Sequence, residues 1–223
     1  TATTEIYTLS LHDALPIFIP IAEQSLLINQ IGKWTLRAAC EAAVSWDENI
    51  TIAVNLSARQ FLDPDLVENV RLALSGSGIT PSRLELEITE TALIQNTLLA
   101  VAVLNELKVI GVQIALDDFG TGYSSMSYVQ IFPFDRIKID RSFVAAMNAD
   151  HKSRAIVESI IHLAHALRMP VVAEGVETED QAAALSRLGC EELQGYLIAR
   201  PQPLAIDHSW RARPLGVSAS DAA

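Results

Sequence analysis

Positive charge is scarce in this chain. Lys and Arg number 16 against 27 Asp and Glu in 223 residues, a formal net charge of −11. So acidic a balance excludes a protein that grips DNA or RNA through a basic surface, because neutralising phosphates with Lys and Arg supplies most of that affinity. It leaves room for a small anionic ligand, since a bound cation inverts the local sign. Cysteine is nearly absent. Cys40 and Cys190 lie far apart, with no Cys-x-x-Cys or Cys/His cluster, and make neither a disulfide framework nor a zinc site. They read as two buried thiols in a reducing cytoplasm. No apolar run approaches the ~18 residues of a membrane span, because charges, Gly and Pro interrupt each one. The opening, Thr1–Ile17, lacks the basic start and long apolar middle of a secretory signal. What the chain has in plenty is hydrophobic residues, 50% of the total, enough for a full core and too many for wholesale disorder. At roughly 150 residues per domain, the length fits one large domain or two small ones.

Short β-branched runs alternate with longer amphipathic stretches. The strand candidates are Thr51–Leu56, Leu84–Thr89, Val112–Asp117, Arg136–Asp140, Pro170–Ala173 and Glu192–Ile198. The helix candidates are Leu26–Ala43, Pro64–Gly76, Asn96–Val109, Ser153–Arg168 and Glu179–Leu188. Their apolar residues recur at three and four positions, as in Ile156, Ile160, Leu163 and Leu167. Strand then helix, repeated, implies parallel strands with crossover helices: an α/β fold, either an open doubly wound sheet or a (β/α)8 barrel. No Gly-x-Gly-x-x-Gly follows the first strand and no P-loop appears, so a nucleotide-binding open sheet lacks support. The tail after Pro203 is aperiodic and reads as a frayed end.

Each strand candidate ends in a polar or ionisable residue. The first carries Asn55, the second Glu87 and then Glu90, the third Asp117 and Asp118. The fourth carries Lys138 and Asp140, the fifth leads to Glu174 and Glu177, and the sixth holds Gln194. In a parallel barrel all the strand C-termini open on one face, where active sites sit. Carboxylates converging there repel one another unless a cation holds them, and an all-oxygen set favours a hard ion, Mg2+ or Mn2+, over zinc. Such a stock suits two-metal phosphoryl transfer. Taken singly, each residue also has a plain reading. A lone Asp or Glu at a strand end is usually solvated or caps a helix, Asp118 can begin a turn, and Glu177 can start a helix. Lys138, flanked by Ile137 and Ile139, resists that reading, since alternation turns it away from both isoleucines.

Several segments together resemble the EAL domains. They are Phe18-Ile-Pro-Ile-Ala-Glu23, Asn55-Leu-Ser-Ala-Arg-Gln-Phe61, Glu87-Ile-Thr-Glu90, Asp117-Asp-Phe-Gly-Thr-Gly-Tyr-Ser-Ser125, Lys138-Ile-Asp-Arg-Ser-Phe-Val144, Ala173-Glu-Gly-Val-Glu-Thr178 and Gln194-Gly-Tyr196. The resemblance implies a TIM-type (β/α)8 barrel that hydrolyses cyclic di-GMP to linear pGpG with two ions, Mg2+ or Mn2+. It implies Asn55, Glu87, Asp117, Asp118 and Glu174 as metal ligands and Lys138, with Glu174, as catalytic. Gln194 and Glu177 would line the site, and Glu90 would hold the turn after Asp118. It further implies a cytoplasmic signalling protein with sensory or diguanylate-cyclase-like domains upstream, and allows a homodimer.

The chain departs from the family pattern at its start. The Glu-Ala-Leu that names the family carries a metal-binding Glu, followed by a phosphate-contacting Arg, and stands on the second strand upstream of the segment matching Phe18–Glu23. Here Asp13-Ala14-Leu15 only mimics it, and no Arg-Trp follows. Three divisions are therefore expected: 1–17 as a foreign-looking segment, 18–204 as an EAL domain lacking its first two strands, and 205–223 as a tail. Such a barrel exposes two sheet edges and lacks two site residues, so this chain is expected to be impaired. Two functions stay open: a phosphodiesterase, or an inactive module that binds cyclic di-GMP or a protein. Intact Asn55, Glu87, Asp117, Asp118, Lys138 and Glu174 favour the first. A sugar-phosphate enzyme would need a Gly-rich loop that Glu192–Pro201 does not offer.

Overall fold

The computed structural model describes residues 15–94, 96–121 and 126–200. Among them six strands form one parallel sheet: β1 (Ile52–Leu56), β2 (Leu84–Thr89), β3 (Gln113–Phe119), β4 (Arg136–Ile139), β5 (Val171–Ala173) and β6 (Glu192–Leu193). Their spatial order is their chain order, β1-β2-β3-β4-β5-β6, with neighbours joined through helices. The helices are α1 (Leu15–Gln24), α2 (Leu27–Ala43), α3 (Leu66–Ser77), α4 (Glu90–Ile94), α5 (Thr97–Ile110), α6 (Met126–Ile131), α7 (Arg141–Ala146), α8 (His151–Ala166) and α9 (Glu179–Leu188). The α/β reading and the six expected strands stand. Thr1–Ala14 and the tail from residue 201 lie outside the described residues, Asp13 among them.

Alternation along each strand decides the architecture. Ile52, Val54 and Leu56 of β1, Leu84, Leu86 and Ile88 of β2, Ile114 and Leu116 of β3, and Ile137 and Ile139 of β4 belong to one buried core. Helices α2, α3, α5 and α8 supply the other half of that core, with Leu36, Val70, Leu104 and Ile161 among its members. Intervening positions carry Ala53, Asn55, Glu85, Glu87, Ala115, Asp117, Arg136, Lys138 and Val172, all small or polar except the last. One face is thus apolar and covered by helices; the other is left for polar groups.

Helix ends follow local signals. Asn96 Oδ1 accepts from Leu99 N at 3.1 Å, so α5 begins at Thr97. Asp150 accepts from the N–H groups of Lys152 and Ser153, which starts α8 at His151, two residues before the expected Ser153. Thr178 and Gln181 form a capping box at the head of α9, whose bounds match the expected ones.

Four expectations need correction. The buried stripe of α8 is Val157, Ile160, Ile161 and Ala164, while Ile156 and Leu167 are 36% and 37% exposed. The helix is apolar over more than one stripe, and the smaller Ala164 goes to the inside. Secondly, α1 precedes α2 and runs through Pro20, where no helix was anticipated. Thirdly, β3 runs two residues beyond Asp117, through an irregularity described below. Lastly, β6 stops at Leu193 rather than Ile198. The chain turns at Gly195, where Ile198 N and Ala199 N both donate to Gly195 O, at 3.0 and 3.1 Å. A Cβ on Gly195 would lie 2.3 Å from the backbone of Val176, so only glycine permits this approach.

Candidate active site

Lys138 is the centre of the polar face. It is 2% exposed on β4, and its Nζ lies 2.5 Å from Glu87 Oε1, 2.5 Å from Glu174 Oε1 and 3.3 Å from Asp117 Oδ1. Four strands contribute: β2 places Glu87, β3 Asp117, β4 Lys138, and the residue after β5 is Glu174, whose N–H donates to Ile139 O at 3.1 Å. Burial alone would strip the charge from Lys138, but Glu87, Glu174 and Asp117 outweigh it and hold the ammonium above its ordinary range. Three carboxylates face one ammonium, so negative charge is in excess. Burial, with Asp117 and Glu87 adding to it against the pull of Lys138, pushes Glu174 up to about 7.

The third strand brings a second carboxylate to the same place. In an unbroken strand, consecutive residues face opposite ways, which would send Asp118 to the helix side. Instead the β3–β4 register slips between Leu116 and Phe119, and Asp118 takes a left-handed φ of 53°. Its N–H donates to Asp117 Oδ1 at 3.0 Å. Oxygens of Asp117, Asp118 and Glu174 all lie within 4.8 Å of one another. Burial, then the charges of Asp117, Asp140 and Glu174, push Asp118 up to about 6. Uncommon non-glycine backbone of this kind concentrates at functional sites. Glu90, at the head of α4, accepts from Gly120 N at 3.0 Å and so holds the turn that follows Asp118.

The other expected residues are placed as follows. Asn55 is exposed on β1, in register with Glu87 of β2. Gln194 follows β6, its N–H donating to Ala173 O at 2.9 Å, and its buried Oε1 has no hydrogen-bond partner among the described residues. Glu177 is exposed; its N–H donates to Gln181 Oε1 at 2.8 Å beside the α9 cap. The structure therefore joins Glu87, Asp117, Asp118, Lys138 and Glu174 by direct proximity, with Asn55 beside Glu87 on the neighbouring strand, Gln194 just after β6 and Glu177 beside the head of α9. Sequence reasoning passed over a deeper set of charges, Glu85, Arg136 and Glu192, each two residues before a residue it had chosen; the same alternation that turned Lys138 inward would have found them.

The family model for the EAL domain matches residues 10–201. The chain belongs to the EAL family. This EAL domain is 50% identical over 193 residues to an uncharacterised signalling protein of Caulobacter vibrioides, covering 86% of this chain and 24% of that protein. To MucR of Pseudomonas aeruginosa, a bifunctional diguanylate cyclase/cyclic di-GMP phosphodiesterase, it is 45% identical over 190 residues, covering 83% of this chain and 28% of MucR. The chain thus spans about a quarter of the length of these curated relatives. The MucR phosphodiesterase solved with cyclic di-GMP superposes with a TM-score of 0.82 at 44% identity, over 85% of this chain and 78% of that one. The Klebsiella pneumoniae BlrP1 complex with manganese and cyclic di-GMP gives 0.73 at 32% identity, over 78% and 45%. The fold is TIM-type, as these structural relatives share it.

The donor set of this EAL domain fits a divalent cation. Asp117, Asp118 and Glu174 offer only oxygen, and burial together with neighbouring carboxylates raises Asp118 and Glu174, a cost that a cation would relieve. No helix among the described residues is long and apolar enough to cross a membrane.

Proposed function

We propose that this domain hydrolyses cyclic di-GMP to linear pGpG within a larger cytoplasmic signalling protein. The observation that carries the reading is the burial of Lys138 among Glu87, Asp117 and Glu174, with Asp118 brought beside them by a strained turn. An anionic phosphodiester needs positive charge where its own negative charge grows, and this mouth can supply it in two forms. Asn55, Glu87, Asp117, Asp118 and Glu174 would hold two ions, Mg2+ or Mn2+, which when bound lower the pKa of water and neutralise the phosphoryl oxygens.

The chain's own residues do the rest. Lys138 keeps its proton, held there by its carboxylate neighbours, and so serves as a fixed donor rather than a base. Its ammonium orients the attacking water and stabilises charge that develops as the water oxygen bonds to phosphorus and the sugar oxygen leaves. Fixed donors of this kind act mainly in the transition state, because they need no reorganisation when charge appears. Glu174 anchors Lys138 and contributes an oxygen to the acidic cluster. Gln194 and Glu177 line the site, while Glu90 keeps Asp118 in its left-handed turn through Gly120. Partners would be the domains that precede it in the parent protein and a second copy of itself.

The test is direct. Protein carrying this domain, given cyclic di-GMP with Mg2+ or Mn2+, should release pGpG on a chromatographic assay. Binding of the dinucleotide with no product at any metal concentration would instead make this a binding module.

A further inference from the structure

Beneath the candidate site lies a second layer of charge. Glu85, Arg136 and Glu192 stand on β2, β4 and β6, each two residues before Glu87, Lys138 and Gln194. Two residues along a strand return to the same face about 6.6 Å higher, so the deeper layer sits directly under the upper one. Arg136 joins it. Its Nε lies 3.1 Å from Glu85 Oε2 and its Nη1 2.5 Å from Glu192 Oε2. Alternate strands filling one layer is how parallel barrels pack their interior, usually with aliphatic side chains. Here the layer is ionic.

The ties fall where the backbone ladder is weakest. β3, which separates β2 from β4, carries the register slip after Leu116. β5 and β6 share only two register pairs, Val172 with Glu192 and Ala173 with Leu193. A planar guanidinium reaching across β3 to Glu85 and across β5 to Glu192 sets the relative heights of β2, β4 and β6 without relying on either ladder. Stability alone is a poor reason for the arrangement. Buried ion clusters are often no more stable than apolar side chains of equal volume, and fixing register is their best-attested use. Glu85 is 1% exposed, and its Oε1 has no hydrogen-bond partner among the described residues.

We infer that Arg136 is a positioning residue: by tying Glu85 to Glu192 it sets the heights at which Glu87, Lys138 and Gln194 stand at the mouth above. The kinetic arm of its test rests on the phosphodiesterase reading; the structural arm does not.

The discriminating variant is Glu85→Leu/Arg136→Met/Glu192→Met, which replaces the ionic layer by an apolar one. Its melting temperature should match or exceed the parent's, while its calorimetric Kd for Mn2+ rises about tenfold or more and kcat falls about 10–100-fold with KM little changed, as outer supports of metal sites typically cost. Arg136→Lys, which keeps charge but loses the fork, should fall between. A folded triple variant with parental Mn2+ affinity and kcat overturns the inference. Should the triple variant not fold, Arg136→Lys and Glu192→Gln are read the same way. If the parent itself neither binds Mn2+ nor hydrolyses the dinucleotide, the functional reading fails and hydrogen exchange decides the rest. In Arg136→Lys the Gln194 amide should then exchange about tenfold faster, with the β1 amides unchanged. An unaltered Gln194 rate overturns the tie.

Discussion

The two faces of the sheet are made from alternate residues of the same strands, yet their chemistry is opposite. On the helix side Leu84, Leu86, Ile88, Ile114, Ile137, Ile139 and Val171 are fully buried among apolar neighbours. On the other side the same strands carry Glu85, Glu87, Asp117 and Lys138, buried as well, and the half-buried Arg136, all held by mutual pairing. Parity along a strand therefore divides labour. The even-numbered side of β2 binds the helices, and its odd-numbered side holds charge in a fixed place. A substitution on the helix side should be felt as stability, one on the polar side as chemistry.

The comparison breaks most completely if the polar face works without metal. Excess chelator should abolish hydrolysis of cyclic di-GMP, and Mg2+ or Mn2+ should restore it; undiminished turnover would mean the carboxylates serve another purpose. Next in size is Lys138→Ala, expected to lower kcat about 10²–10³-fold, the usual cost of one preorganised donor, with a smaller change in dinucleotide affinity. A parental kcat would make Lys138 a strut rather than a participant. On the opposite face, Leu86→Ala should cost about 2–5 kcal/mol in urea unfolding, through lost burial and a cavity, while kcat per folded molecule stays parental. Equal losses in both assays would show that the faces are not separable.

Gly175 sharpens the boundary between them. It follows Glu174 with a φ of 66°, and a Cβ there would lie 2.6 Å from Arg141 Cβ. Gly175→Ala should thus cost more than about 1 kcal/mol and also disturb Glu174, so both melting temperature and kcat should fall. The smallest effect expected is none. Cys40 and Cys190 are buried, and burial pushes their thiols up to about 11 and about 12. Iodoacetamide at pH 8 should leave both unmodified until urea exposes them, since the thiolate is the reactive form. Prompt labelling of the native protein would show a helix side more open than described.

Much of this was legible in order along the chain. Isoleucines on both sides of Lys138 told which way its side chain points, because a pleated backbone turns successive side chains to opposite faces. Asn96, Asp150 and Thr178 cap helices through bonds to residues two or three positions away, and such contacts need nothing beyond local sequence. The recurring strand–helix rhythm dictated a parallel sheet for the same reason: crossover helices are the short route between parallel neighbours. Tertiary structure alone decided the rest. Asp118 joins Asp117 only because β3 slips against β4 and its backbone turns left-handed, an event that no periodicity announces. β6 ends at Leu193 because Gly195 meets Val176, a contact with a residue 19 positions earlier in the chain. The inward face of α8 was chosen by the sheet it covers, not by its own spacing. Arg136 acquired its partners from strands on either side, since an ion pair between residues 51 or 56 positions apart exists only once the sheet has brought them to one height.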